Sequence, residues 1–369
     1  MKTSTLISVI IPYYDPKGGL YKDSILSILA QSYKNWELII VNDGSNADNT
    51  NKTANFIKDI NDKRILLINL KKNLGVSAAK NIGIKNATGK LITFLDIDDI
   101  YFPWHLGDIN NSFENNSELL ILNTANVSYV RIGKLIKKLH CFINRKKILC
   151  TEIFYLKDDY SNLFSFPRIA LRKEVFDIVR FDENMTTTED TDLLLQIVNN
   201  PDLLNKIGTL SRPGYLYRMY PSKERLTHNI KSVFENRNKI IHKYKTTNTN
   251  AFKVLSLWKE RYSYWYFKES LYHYLNNGSF IDFSRDVFSS SLNYSTRCKG
   301  LNAFIYTALN EKLLTPVFGI NLRYLDILFD RKNNKFDLFK NIYKDYMKNI
   351  QDNDIKSYQG IIFNKIFEN

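Results

Sequence analysis

The sequence predicts an α/β domain on a mostly parallel sheet, followed by a mostly α-helical C-terminal domain. Three observations carry this. Short apolar runs rich in β-branched residues recur at Leu6–Ile11, Leu38–Val41, Ile65–Ile68 and Leu91–Leu95. Nearly continuous runs of that length suit strands covered on both faces. Stretches with helical spacing lie between them, which makes βαβ units. From about residue 233 Gly and Pro nearly vanish and apolar residues take helical periods, and eight of the seventeen residues in Trp258–Tyr274 are aromatic.

The first run, Leu6–Ile11, follows Met1-Lys2 and invites comparison with a leader peptide. It is six residues long, Pro12 ends it and no small-residue cleavage site follows, so it reads as the first buried strand. Ile25, Ile28, Leu29 and Ser32 give the next helix a core-facing stripe, and Val76, Ala79, Ile82 and Gly83 do the same after the third strand. A parallel sheet places ligands at the carboxyl ends of its strands. Those ends read Pro12-Tyr13-Tyr14-Asp15, Asn42-Asp43-Gly44-Ser45 and Asp96-Ile97-Asp98-Asp99, so polar residues gather along one edge. Ser117–Asn126 reads as a further buried strand, in a region that mixes strands with short helices. The change in texture puts the domains at 1–232 and 233–369.

With 44% apolar and 24% charged residues, the 369-residue chain is globular rather than disordered. No segment approaches 18 consecutive apolar residues, so no membrane-spanning helix is expected. Three cysteines, Cys141, Cys150 and Cys298, make neither a disulfide framework nor a zinc pattern and suit a reducing, cytoplasmic setting. The net charge of +14 divides into +6 up to residue 232 and +8 beyond it, and Arg131–Lys147 holds seven basic residues and no acidic one. Such charge suits phosphates, acidic lipid surfaces or nucleic acid. No nucleic-acid motif accompanies it, so no nucleic-acid partner is expected.

GxGxxG does not follow the first strand, which continues PYYDPKGG, and GxxxxGK[ST] is absent. A dehydrogenase and a P-loop NTPase are therefore poor fits. The carboxylates lead further. On an extended chain residues i and i+2 point the same way, so Asp96 and Asp98 would converge on one cation while Asp99 points elsewhere or begins a turn. Hard cations such as Mg²⁺ or Mn²⁺ take carboxylate and phosphate oxygen. The competing reading is a turn or helix cap. Asp43 is either part of a capping turn or a carboxylate that reads a base edge. Glu189-Asp190 precedes the helix Thr191–Val198, as either a charge complement to its dipole or a general base.

Taken in order, ISVIIPYYD, WELIIVNDGS, NLGVSAAKNIGI, GKLITFLDIDDIYFPWHL, TTTEDTDLLLQI and LYRMYPSKERLTH resemble the inverting, GT-A-fold glycosyltransferases of family 2, over residues 5–228. The resemblance implies sugar transfer from a nucleotide-sugar, most simply a UDP-sugar, to an acceptor hydroxyl. It places Pro12 and Tyr14 beside the base, with core packing as the other reading of Tyr14, and gives Asp43 the base N3–H. It gives Asp98 and Asp96 a divalent cation, Mn²⁺ or Mg²⁺, with His228 as a third ligand. It puts Arg218, Lys223 and Arg225 on a mobile loop over the diphosphate. It makes Asp190 the general base, with Glu189 open as its alternative. The chain departs from the family at Asp15, where Asn is usual, and at Lys80, where Arg is usual. Lysine keeps the charge for a diphosphate or carboxylate contact but loses the bidentate fork.

The abundance of Asn, Lys and Ile suggests an AT-rich bacterial genome. The expected acceptor is then an oligosaccharide or lipid-linked glycan, as in capsule or lipooligosaccharide synthesis. The C-terminal domain is expected to bind that acceptor, attach peripherally to the inner face of the cell membrane, or form a homo-oligomer. The alternatives from other classes are a non-catalytic nucleotide- or polysaccharide-binding module, a nucleotidyltransferase and a nucleic-acid binder.

Overall fold

The computed structural model describes residues 4–16, 18–132, 136–142, 153–155, 169–219, 236 and 239–244. All of the C-terminal domain except 236 and 239–244, including the aromatic stretch Trp258–Tyr274, lies outside the described residues, as do Lys223, Arg225, His228 and much of the basic run 131–147. The chain divides into two compact units, and Met1–Tyr129 and Leu139–Arg218 belong to the first. The site residues described below lie in that unit.

Its elements alternate as expected: β1 (Ile7–Tyr13), α1 (Leu20–Leu29), β2 (Trp36–Asn42), α2 (Ala47–Ile60), β3 (Ile65–Asn69), α3 (Val76–Asn86), β4 (Leu91–Phe94), β5 (Ile100–Tyr101) and α4 (His105–Glu114). Then come β6 (Ile121–Ile132), β7 (Ile136–Phe142), β8 (Ile153–Tyr155), β9 (Ile169–Arg172), a 3-10 turn (Lys173–Asp177), α5 (Glu189–Asn199), α6 (Pro201–Leu204) and β10 (Ile207–Met219). The sheet runs in the order β3-β2-β1-β4-β9-β6-β10-β5. β3, β2, β1 and β4 are mutually parallel, whereas β9 is antiparallel to β4 and β6, and β10 to β5. Ser117–Asn126 does not form one strand, because β6 begins only at Ile121.

Every residue of β1 is buried, and the reason is helices on both faces. Val9 and Ile11 pack with Ile25 and Ile28 of α1 and Leu106 and Ile109 of α4. Ile10 faces the other way, against α3, where a Cβ on Gly83 would meet its Cγ2 at 2.4 Å. Pro12 is tolerated in this central strand because the β1–β4 ladder ends at Ile10↔Phe94, so its missing N–H removes no bond from it. β3 departs from the expectation of cover on both faces. It is the sheet edge, its residues are half-buried or exposed, and Leu66 is 45% exposed.

The amino-terminal edge of the sheet is tied by one carboxylate. Glu37 Oε1 accepts from the Ser8 hydroxyl (2.6 Å), Thr88 N–H (2.6 Å) and Gly89 N–H (3.0 Å), and Oε2 accepts from the Thr88 hydroxyl (2.9 Å). Burial opposes the charge, but these donors hold the Glu37 carboxyl below its ordinary pKa. Glu37→Ala removes the acceptor of the Ser8 and Thr88 donors, while Gly89 N–H keeps Ser8 Oγ at 2.9 Å, and should lower stability by about 1–3 kcal/mol, read as a lower denaturant midpoint at unchanged slope. Because the folded pKa is the lower one, the stabilisation is complete above the ordinary carboxylate pKa. It fades as pH falls through the folded value, so the wild-type advantage should shrink in acid.

Candidate active site

Three strand ends and the start of α5 build the site. β2 ends at Asn42 and Asp43 follows it, its N–H donating to the Tyr13 carbonyl at 2.8 Å. Gly44 follows at φ +72°, and a Cβ there would stand 2.3 Å from the Lys72 carbonyl carbon. Only glycine lets the chain pass so close. That approach brings Leu74 N–H (2.7 Å) and Gly75 N–H (2.9 Å) onto the two Asp43 carboxylate oxygens. Burial raises the Asp43 pKa and the two N–H groups pull it back. A carboxylate offers about four lone-pair sites, so Asp43 keeps acceptor capacity for a base edge while anchoring the β3–α3 loop.

Asp15, two residues past β1, lies in the left-handed region, at φ 39°. Its Oδ1 accepts from Asn46 N–H (2.9 Å), Asn46 Nδ2 (2.7 Å) and Asn49 Nδ2 (3.1 Å), and its N–H donates to Ser45 Oγ (2.8 Å). The departure from Asn at this position thus locks the end of β1 to the N-terminus of α2. Between the two lies Tyr14, 53% exposed, so core packing is not its role.

The acidic stretch after β4 is a turn and not an extended strand. Asp99 N–H donates to the Asp96 carbonyl at 3.0 Å. The same-side argument for residues i and i+2 therefore does not apply, and Asp96 and Asp98 both sit half-buried in the turn. Asp99 is fully buried: Oδ1 accepts Arg218 N–H at 2.7 Å and Oδ2 accepts the Tyr215 hydroxyl. Burial and this carboxylate push the Tyr215 phenol well above its ordinary pKa, so it stays a donor.

α3 is the rail for the remaining acids. The Ser77 hydroxyl donates to the Met185 carbonyl (3.1 Å), Asn81 Nδ2 to the Phe181 carbonyl (3.0 Å), and Lys80 Nζ to Glu189 Oε1 (2.7 Å). Lys80 is buried. Burial alone would depress its pKa, but Glu189, Asp96 and Asp190 together hold it above the ordinary value. Thr188, just before α5, sits at φ 61° and ψ 19°. A β-branched residue there is strained, and such strain gathers at functional sites. It swings the chain so that Glu189 meets Lys80 and Asp190 sits beside them. Burial and the Glu189 carboxylate raise the Asp190 carboxyl to about 6, against the pull of Lys80 and of Thr191 N–H.

Arg218 is placed otherwise than the sequence suggested. It lies in β10, is 6% exposed, and spends its guanidinium inside the protein. Nη1 donates to Asp23 Oδ2 (2.7 Å), Nη2 to the Leu20 carbonyl (3.0 Å) and Nε to the Asp98 carbonyl. Asp23, Ser24 and Tyr215 escaped the sequence reading, which had Asp99 only as pointing elsewhere or beginning a turn. Asp99 alone carried a signal, as the third acid of the run.

The glycosyl transferase family 2 model matches residues 8–178. An uncharacterized glycosyltransferase of Rickettsia conorii is 32% identical over 208 residues, 56% of this chain and 32% of its own length. One of Methanocaldococcus jannaschii is 27% identical over 243 residues, 63% of this chain and 80% of its own. The chain thus spans about a third of the length of the rickettsial relative. Among solved structures, S. aureus TarS residues 1–349 in complex with UDP-GlcNAc matches at 15% identity and a TM-score of 0.52, over 83% of this chain and 91% of that one. The likeness to TarS shows the fold. The strand-end acids of β1, β2 and β4 fall within the stretch that is similar to glycosyl transferase family 2, and the fold is GT-A.

Proposed function

We propose that this chain moves a sugar from a UDP-sugar to an acceptor hydroxyl with inversion, and that Asp190 is the general base. The observation that carries this is the Lys80–Glu189 ion pair with Asp190 beside it. Glu189 is committed to a lysine. Asp190 has a pKa raised toward the working range, where a general base is most effective. The UDP-GlcNAc complex of TarS supports the donor class.

In this reading the acceptor oxygen attacks the anomeric carbon as the bond to the diphosphate breaks, and the leaving group takes the electron pair. The hydroxyl proton passes to an Asp190 carboxylate oxygen. Asp43 receives the base N3–H, flanked by Pro12 and Tyr14. Asp98 and Asp96 would hold a divalent cation, Mn²⁺ or Mg²⁺, whose chemistry is to neutralise charge on the departing diphosphate. The donor set fits. Hard cations are commonly held by one or two carboxylates plus substrate phosphates, and no group of three or more His, Cys, Asp or Glu side chains gathers among the described residues. The cation would then bind together with the donor. His228, Lys223 and Arg225 are proposed to join from the segment after β10. The acceptor is proposed to be a hydroxyl of a bacterial surface glycan, and the C-terminal domain to bind it, dock on a membrane surface or self-associate. No helix among the described residues is long and apolar enough to cross a membrane.

Calorimetric titration of UDP with and without Mn²⁺ tests the donor site. Wild type should bind more tightly with Mn²⁺, and Asp98→Ala should lose that gain while keeping its metal-free affinity. Equal affinities for both proteins under both conditions would remove the cation from the mechanism.

A further inference from the structure

We propose that Arg218 is a positioning residue that clamps the acidic turn Asp96–Asp99 between α1 and β10, so that its carboxylates keep their place when the donor arrives. This rests on the donor site proposed above. Every carbonyl of the turn lies within hydrogen-bond distance of a donor of the protein. The Asp96 carbonyl accepts Asp99 N–H, and the Asp98 carbonyl accepts Arg218 Nε. Ser24 Oγ lies 2.6 Å from both the Ile97 and the Asp99 carbonyl oxygens and donates its one proton to either.

Arg218 closes the arrangement from two directions. Its backbone N–H holds the Asp99 carboxylate and its side chain holds the Asp98 carbonyl, while Asp23 and the Leu20 carbonyl fix the rest of the fork to α1. A buried ion pair repays its desolvation only when its remaining donors are satisfied. Here each of the three guanidinium nitrogens has a partner. A planar fork with fixed donors suits three acceptors in three directions, whereas an ammonium is a point charge on a flexible stem. Tyr215, three residues back on β10, holds the other oxygen of Asp99. The turn that carries Asp96 and Asp98 is therefore held by one buried cation and one buried anion.

The test uses the full chain with Arg218→Lys and Asp23→Asn, reading amide hydrogen exchange and UDP affinity with and without Mn²⁺. Arg218→Lys should raise exchange at residues 95–99 by about tenfold, since local opening becomes easier, and leave β1 and β2 at wild-type rates. It should reduce the Mn²⁺-dependent gain in UDP affinity by about tenfold, the scale of a lost charged hydrogen bond, with metal-free affinity unchanged. Asp23→Asn should do the same to a smaller degree, and carries the test if Arg218→Lys does not fold. Wild-type exchange at 95–99 in both variants would overturn the proposal. So would an equal fall in metal-free and Mn²⁺-dependent affinity, which marks a direct donor contact. If wild type binds no UDP, the donor reading fails, and the exchange rates alone decide the clamp.

Discussion

Asp190→Asn should leave a protein that binds UDP-sugar normally and transfers almost nothing. Loss of a positioned base typically costs about 10²–10⁴-fold in rate. The amide cannot take the acceptor proton, yet it is nearly isosteric and can still accept from Thr191 N–H, which bonds Asp190 Oδ1 at 2.6 Å. Donor affinity should survive because Asp43 and the acidic turn are untouched. The wild-type profile of kcat/KM against pH should fall on its acid side near pH 6, since a base must be deprotonated to act and burial with Glu189 raises this group to about 6. Glu189→Gln removes the neighbouring negative charge, so that limb should move to lower pH. Full turnover in Asp190→Asn with loss in Glu189→Gln would transfer the base to Glu189. Activity in both would reduce the pair to a helix start.

Lys80→Met should be the most damaging change that touches no part of the proton transfer. The lysine is buried, and its Nζ lies 2.7 Å from Glu189 Oε1 and 5.0 Å from the centre of the Phe181 ring. Removing one partner of a buried pair leaves a charge uncompensated and costs about 3–5 kcal/mol. Glu189 is not fully enclosed, so the lower end is expected. The effect on pH has a definite sign. Lys80 lowers the Asp190 pKa, so without it the acid limb of kcat/KM should move up, opposite to Glu189→Gln. Lys80→Arg restores the charge and should return the limb toward wild type. A Lys80→Met protein with wild-type melting temperature and an unmoved limb would show that the ion pair is incidental.

The parallel half of the sheet was legible because its evidence is local. Four apolar runs and the helical spacing between them need only neighbours in sequence to be read. Locating the polar strand ends followed from topology alone. The shape of the acidic stretch was not legible. Extended geometry is the default after a strand, and the turn at Asp96–Asp99 is imposed by Ser24 and Arg218, 73 and 120 residues away in its bonds. Arg218 itself read as a loop cation because the family resemblance set it on a mobile loop with Lys223 and Arg225. Only tertiary contact with Asp23 makes it interior. The Lys80–Glu189 pair, on which the proposal of Asp190 as base leans, was also not legible, because Lys80 lies on another helix.

The separations that hid these contacts also order the folding of the chain. Lys80–Glu189 spans 109 residues and Arg218–Asp23 spans 195, against 29 for Ser8–Glu37. Entropy of loop closure must be met before distant contacts contribute, so long-range pairings form slowly and late. On a ribosome that releases the N-terminus first, β1 to β4 can pair while Arg218 is still unmade. The nascent chain then has a sheet without a finished catalytic rim, and activity should appear only after native-like secondary structure has been present for some time.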